Sequence, residues 1–175
     1  MSDGTEASVH ASAVKVGERA VLIRGPSGSG KSRLAFDLIL SGRSGQLAPA
    51  ILVGDDRVYL DTAGGELLVR PAPRLAGLIE IRGLGMRRCD FAEQAVVGLV
   101  IDLAAADAAR LPPPEALETS IFGIKVPRIP IGIEFSPLPV VVAALTTTKG
   151  SPALGHSEHC SKGIGNHMRP TIATD

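Results

Sequence analysis

With 175 residues, 45% of them hydrophobic and 21% charged, the chain is long enough for one domain with its own core, and its composition is that of an ordinary globular protein. Lys plus Arg and Asp plus Glu both number 18, so no basic excess points to nucleic acid or to an anionic membrane. Aromatic residues are only 3%, which makes the core aliphatic and leaves little for stacking on bases.

The two cysteines, Cys89 and Cys160, lie far apart and outside any Cys-x-x-Cys pair, as expected of reduced thiols. No basic-then-apolar leader and no apolar run of transmembrane length is present. The expectation is a soluble, cytoplasmic protein with neither a membrane nor a nucleic-acid partner.

Residues 1–8 are small and polar and read as a frayed start. Residues 13–16 and 19–24 flank Gly17-Glu18 and predict a hairpin, with His10 just upstream. The apolar run Ala20-Val21-Leu22-Ile23 then leads into Gly25-Pro26-Ser27-Gly28-Ser29-Gly30-Lys31-Ser32. This octet fits the phosphate-binding pattern G-x-x-x-x-G-K-[ST]. Its glycines can take positive φ and fold the backbone around a phosphate, so that successive N–H groups converge. Lys31 can reach the outer phosphates, and Ser32 offers a hydroxyl to Mg²⁺.

Residues 33–40 are apolar at helical spacing, and the helix is expected to end near Ser41-Gly42, with the glycine as cap. Strand, loop and helix in this order are the arrangement that a phosphate loop requires. Residues 50–53 predict a short strand that ends at Gly54-Asp55-Asp56-Arg57. Residues 58–60 and 66–70 around Gly64-Gly65 predict a second hairpin. Residues 75–78 suggest a helical turn, and 78–85 a strand ending in glycines. The longest apolar run, 95–101, predicts a central strand closed by Asp102. A helical turn at 115–118, strands at 122–126 and 128–133, and a helix or strand at 140–145 complete the expected elements. Residues 146–175 read as a mobile tail, and its His156, Glu158, His159 and Cys160 lack the spacing of a zinc site.

Phosphoryl transfer also needs a carboxylate near the metal and a group that handles the acceptor's proton. Three acid sites end or interrupt strands: Asp55-Asp56, Glu80 and Asp102. Ligands of open α/β sheets lie beyond the carboxyl ends of the strands, so each acid can face a nucleotide. By its apolar run alone, Asp102 looks most like the metal-site acid, or it is a helix N-cap or turn residue. The adjacent Asp pair can divide positioning from proton transfer, or it can be an exposed turn. From the local sequence, Glu80 reads first as an outward-facing strand residue paired with Arg82 on the same face. Arg82, Arg87, Arg88 and Arg110 are surface arginines, any of which can neutralise charge on a transferring phosphate.

Three blocks, in the same order and at similar separations, resemble the HPr kinase/phosphorylase family in its catalytic, C-terminal domain. They are residues 25–32, Gly54-Asp55-Asp56-Arg57-Val58 and Glu80-Ile81-Arg82-Gly83-Leu84-Gly85. Val9-His10-Ala11 falls where the family has a histidine ahead of its first hairpin. The resemblance spans residues 9–145, in a short form without the N-terminal domain of longer members. It implies an α/β fold with a phosphate-loop NTPase-like core and flanking β-hairpins.

It also implies a kinase that uses ATP and Mg²⁺ to phosphorylate a serine of HPr or an HPr-like phosphocarrier, and a homo-oligomer. By position, residues Gly25, Pro26, Ser27, Gly28, Ser29, Gly30, Lys31 and Ser32 would hold the nucleotide. Ser32 and Glu80 would bind the metal, which moves that role from Asp102. Asp56 would be base for the acceptor serine, and acid in the reverse phosphorolysis, with Asp55 and His10 in support. Arg110 falls near a catalytic arginine of the family. The family's Pro-Gly-Arg loop, tied to phosphorolysis, is replaced by Pro130-Ile131-Gly132-Ile133-Glu134-Phe135. Rival readings are a small-metabolite kinase, which would carry an arginine-rich lid, and a nucleotide-binding sensor that transfers nothing.

Overall fold

A computed structural model describes residues 7–150 of the chain. The first half holds β1 (Ala7–Val9), β2 (Ser12–Val16), β3 (Arg19–Arg24), α1 (Lys31–Arg43), β4 (Ala50–Gly54), β5 (Val58–Ala63) and β6 (Glu66–Pro71). The second half holds β7 (Leu78–Ile81), β8 (Gly85–Arg88), β9 (Ala95–Leu103), β10 (Glu118–Ile121), β11 (Ile124–Ile131) and α2 (Pro137–Thr146). Nine strands form one mixed sheet along the path β1-β5-β6-β9-β3-β2-β4, with β10-β11 joined to β9, and β7-β8 form a separate ribbon.

The apolar pattern of β3 explains the two cores. Val21 and Ile23 pack under α1 with Leu34, Leu38, Leu52 and Ile101. Ala20 and Leu22 face the other way, toward Val53, Val58, Leu67 and Val100. This is the period-2 alternation of a strand buried on both faces. One end of the path also turns back: β4 lies against β6, where a Cβ on Gly54 would lie 3.2 Å from Pro71 Cα. The sheet is therefore strongly curled around the second core.

β9 is the hub of this sheet. Its start pairs antiparallel with β6, residues 97–102 run parallel to β3, and its end pairs parallel with β11. A register shift after Ala20, opposite Gly98, lets one strand serve both cores. A side chain on Gly98 would come within 2.8 Å of Arg19. At the far end, the three parallel strands are locked by charge. Arg24 at the end of β3 donates twice to Asp102, at 2.7 Å each. Arg128 of β11 donates to the same carboxylate at 2.5 Å, and to Asp107 at 2.7 and 3.0 Å. Burial by itself raises the Asp102 carboxyl, but the hydrogen bonds from Arg24 and Arg128 outweigh it and hold the group below its ordinary value.

Several elements differ from the sequence expectation. Residues 7 and 8 are not frayed but belong to β1, which pairs with β5; residues 1–6 lie outside the described residues. Gly42 does not cap α1: the helix runs on to Arg43, and Gly42 is the point where β4 approaches so closely that no Cβ fits. Residues 78–85 are not one strand, because Ile81 and Gly85 pair across a turn into β8. The expected strand at 122–126 begins in a turn, with Phe122 at φ 51 and Gly123 at φ 77 joining β10 to β11. Short helical turns stand at Pro73–Leu75 and Pro114–Leu117, slightly ahead of the expected places. Of the expected tail, residues 151–175 lie outside the described residues, including His156, Glu158, His159 and Cys160. Among the described residues, no helix is long and apolar enough to cross a membrane.

Two outcomes test this packing. Helix propensity alone makes Gly42→Ala stabilising by about 1 kcal/mol. Because the added Cβ would sit 2.6 Å from Ala50 N, the substitution is expected instead to destabilise by about 1–3 kcal/mol in urea unfolding. Asp102→Asn leaves Arg24 and Arg128 without their shared charge and is expected to cost about 3 kcal/mol near neutral pH. The lowered folded-state value of Asp102 means that its contribution is present above the ordinary 3.8 and is lost as pH falls through the folded value. The stability gap between the two proteins should therefore close in strong acid.

Candidate functional site

β3 delivers the chain into the loop of residues 25–32, whose Gly25, Gly28 and Gly30 have φ of 150, 79 and 94°. Side chains rarely adopt these angles, so the loop needs glycine at these points. Gly25 is also crowded: a Cβ there would lie 2.7 Å from Ser29 Oγ and 3.0 Å from Leu103 O. α1 then starts at Lys31 with no side-chain cap and no acidic residue in its first turn. Its first N–H groups and the positive end of its dipole are thus free for an anion.

Lys31 is buried, and its Nζ donates to the carbonyls of Gly25 at 2.9 Å and Pro26 at 3.0 Å. Burial lowers its pKa, and the nearby charges of Asp55 and Asp56 work against that shift. Ser29 Oγ is buried without a hydrogen-bond partner.

The adjacent acids part company. Asp55, 3% exposed, lies below the cleft floor. Its Oδ1 accepts from Ser12 Oγ at 2.5 Å and Ser32 Oγ at 2.9 Å, and its Oδ2 from the Glu80 N–H at 3.1 Å. Asp56 has φ 62, at the apex of a tight turn closed by the Arg57 N–H on the Asp55 carbonyl at 2.7 Å. That left-handed conformation is uncommon outside glycine and marks a constrained turn. Asp56 is well exposed, with Oδ1 at 3.1 Å from His10 Nε2.

These groups line one cleft of about 890 Å³. Its lining includes the loop from Ser27 to Ser32, and His10 and Asp56, which contact each other. Glu80, Ile81 and Arg82 also line it, as do Phe36 and Asp37 of α1 and Ser136 to Leu138 at the start of α2. Glu80 stands exposed on the cleft wall and does not pair with Arg82.

The structure thus gathers His10, Lys31, Ser32, Asp56, Glu80 and Arg82 around one space, with Asp55 directly beneath. It does not bring Arg110 there. That residue is exposed on the loop after β9, whose Asp107 and Ala116 carbonyl are tied to Arg128, and it is absent from the cleft lining. Nor is Asp102 a metal ligand, because both its oxygens are taken by arginines. Ser12 was not foreseen. Its only sequence signal is a hydroxyl between Ala11 and Ala13 in a fully buried stretch.

The residues present fit a phosphate and a hard divalent cation. A glycine cradle, a buried ammonium and the orphaned Ser29 hydroxyl suit anionic oxygens. The Ser32 hydroxyl and the Glu80 carboxylate are the oxygen ligands that Mg²⁺ prefers. Among the described residues, no cluster of three or more His, Cys, Asp or Glu could hold a metal by itself. Phosphate oxygens and water would complete such a shell.

Comparison with known proteins gives a consistent outcome. The family model described as "HPr Serine kinase C-terminal domain" matches residues 4–146. A HPr kinase/phosphorylase of Mycoplasma mycoides is 39% identical over 80 residues, which are 46% of this chain and 23% of the relative. One from Neisseria meningitidis serogroup C is 40% identical over 106 residues, 56% of this chain and 31% of the relative. The chain therefore matches less than a third of the length of these relatives. Among solved structures, the Hpr(Ser) kinase/phosphatase from Coxiella burnetii aligns with a TM-score of 0.63 at 28% identity, over 79% of this chain and 93% of that one.

Proposed function

The chain belongs to the family of HPr serine kinase C-terminal domains, and from that premise we propose that it phosphorylates a serine of HPr or an HPr-like phosphocarrier with ATP and Mg²⁺. The observation that carries this reading is the shared cleft, whose lining joins the loop of residues 27–32 to the His10–Asp56 pair and to Glu80 and Arg82. Bound Mg–ATP would supply the phosphoryl group, with the metal offsetting its charge.

The chain's own residues would do the rest. The backbone of residues 25–30 and the N-terminus of α1 orient the phosphates. Lys31 exchanges its two loop carbonyls for phosphate oxygens, a better partner for a buried ammonium. Ser32 and Glu80 hold the metal. His10 occupies Asp56 Oδ1, which leaves Oδ2 to take the proton of the attacking serine hydroxyl. Arg82 stands on the cleft wall, where it can offset charge on the transferring group. Asp55 keeps Ser32 and the Glu80 backbone in place from below.

Phosphorolysis would run through the same Asp56 as acid. The segment Pro130-Ile131-Gly132-Ile133-Glu134-Phe135 carries no arginine, so we assign the forward reaction as the principal one. The catalytic unit is taken as residues 9–145, acting in the cytoplasm as a homo-oligomer.

Incubation with labelled ATP and purified HPr-type carriers, followed by mapping of the modified residue, tests the assignment. Phosphoserine on a carrier supports it, whereas ATP binding without transfer to any carrier favours a sensor. Asp56→Asn should retain nucleotide binding and lose transfer by about 10²–10⁴-fold. Full transfer by that variant would overturn the role of Asp56. Glu80→Gln should raise the Mg²⁺ concentration needed for half-maximal rate.

A further inference from the structure

We propose that Ser12 is a positioning residue for the divalent cation, acting through Asp55 on Ser32. The inference rests on the reading of the cleft as a Mg–ATP site. Ser12 opens β2, is 0% exposed, and lies in a stretch otherwise made of alanine and valine. A buried hydroxyl is costly unless it is bonded. Here its proton goes to Asp55 Oδ1 at 2.5 Å, a charge-assisted bond.

The same oxygen accepts from Ser32 Oγ at 2.9 Å. A serine hydroxyl has one proton and two lone pairs. With its proton committed to Asp55, Ser32 has only lone pairs to offer toward the cleft, which is what a metal ligand must present. That orientation depends on where Asp55 Oδ1 sits. The terminal torsion of an aspartate is soft, so the carboxylate plane is fixed by its donors. Of the three, Ser32 is itself the group to be oriented, and the Glu80 N–H binds the other oxygen, Oδ2, at 3.1 Å. Ser12 is therefore the independent anchor of Oδ1, supplied by a strand that does not line the metal wall.

Without that anchor, Oδ1 can follow the Ser32 hydroxyl instead of directing it. The Glu80 backbone, tied to the same carboxylate, loses its reference too. Both expected metal ligands are then loosened together, while the glycine loop and Lys31, which hold phosphate directly, keep their own contacts. The predicted signature is a defect in metal use and not in nucleotide binding as such.

The test uses the full chain, a fluorescent ATP analogue and MgCl₂. Analogue affinity is measured first in EDTA, then Mg²⁺ is titrated at fixed analogue. Ser12→Ala should leave metal-free affinity unchanged and raise the half-saturating Mg²⁺ by about tenfold or more, the usual scale for losing an outer partner of a metal ligand. Ser12→Thr, which keeps the hydroxyl, should restore the midpoint. An unchanged Mg²⁺ midpoint in Ser12→Ala overturns the proposal. So does an equal loss of metal-free affinity, or a threonine variant as defective as alanine. If Ser12→Ala does not fold, Ser12→Cys, close in size and a weak donor, carries the same criteria. If the unsubstituted chain binds no analogue with or without Mg²⁺, the functional reading fails and this proposal with it. Binding by the unsubstituted chain with a normal midpoint in the variants removes Ser12 alone.

Discussion

A carboxylate kept at 3% exposure has to find its donors inside the protein, and Asp55 finds them on three separate elements. The hydroxyls of Ser12 and Ser32 and the N–H of Glu80 come from β2, α1 and β7, and Asp55 itself follows β4. These residues are spread from position 12 to position 80, so no local sequence preference brings them together. Their meeting point sets the first turn of α1 against the wall that carries Glu80. The same charge acts on Lys31, where with Asp56 it opposes the effect of burial. The buried ammonium of Lys31 and the carboxylate that steadies its neighbours are thus electrostatically linked.

Topology alone does not distinguish Asp55 from Asp102. Asp102 sits at the carboxyl end of a central parallel strand, beside the strand that feeds the phosphate loop, which is the expected address of a metal acid. What separates them is the company each keeps. Asp102 meets two guanidinium groups, and three planar hydrogen bonds fix it as a structural tie between β3, β9 and β11. Asp55 meets only neutral donors, one of them a phosphate-loop hydroxyl. A carboxylate satisfied by neutral groups keeps its full negative charge available to the site, whereas one clamped by arginines has spent it.

The legible parts of the sequence were those where backbone chemistry restricts the residue. The phosphate loop shows in its glycines because the positive φ at Gly28 and Gly30 admits little else, and the β5–β6 hairpin shows in Gly64-Gly65 for the same reason. The turn at Phe122-Gly123 was hidden, because phenylalanine is a strand former that here accepts φ 51. Gly42 looked like a cap because its packing reason, the backbone of β4 against α1, is a tertiary fact. Ser12 shows in the sequence only as a hydroxyl between two alanines, since the partner that gives it a role is 43 residues away. The resemblance placed Glu80 at the metal where the apolar pattern favoured Asp102. Glu80 lines the cleft, whereas Asp102 does not and has both oxygens held by Arg24 and Arg128, partners that the apolar pattern could not show.

The pair Asp55-Asp56 draws two opposite environments from consecutive residues. Under the proposed reaction, a base for an incoming protein hydroxyl would have to stand in solvent reach, while an anchor for a metal-binding serine would have to be held still. β4 ends at Gly54, and the following turn, with Asp56 at φ 62, sends one carboxylate inward and the other out toward His10. Few residues other than glycine accept that angle readily, and aspartate is one of them. A β-branched or bulky residue at position 56 would be strained there, and glycine would bring no carboxylate. The one turn therefore asks for a short acidic side chain on conformational grounds as well as chemical ones. Exchanging the two environments, one buried and one exposed, would therefore need a different backbone and not merely a different pair of side chains.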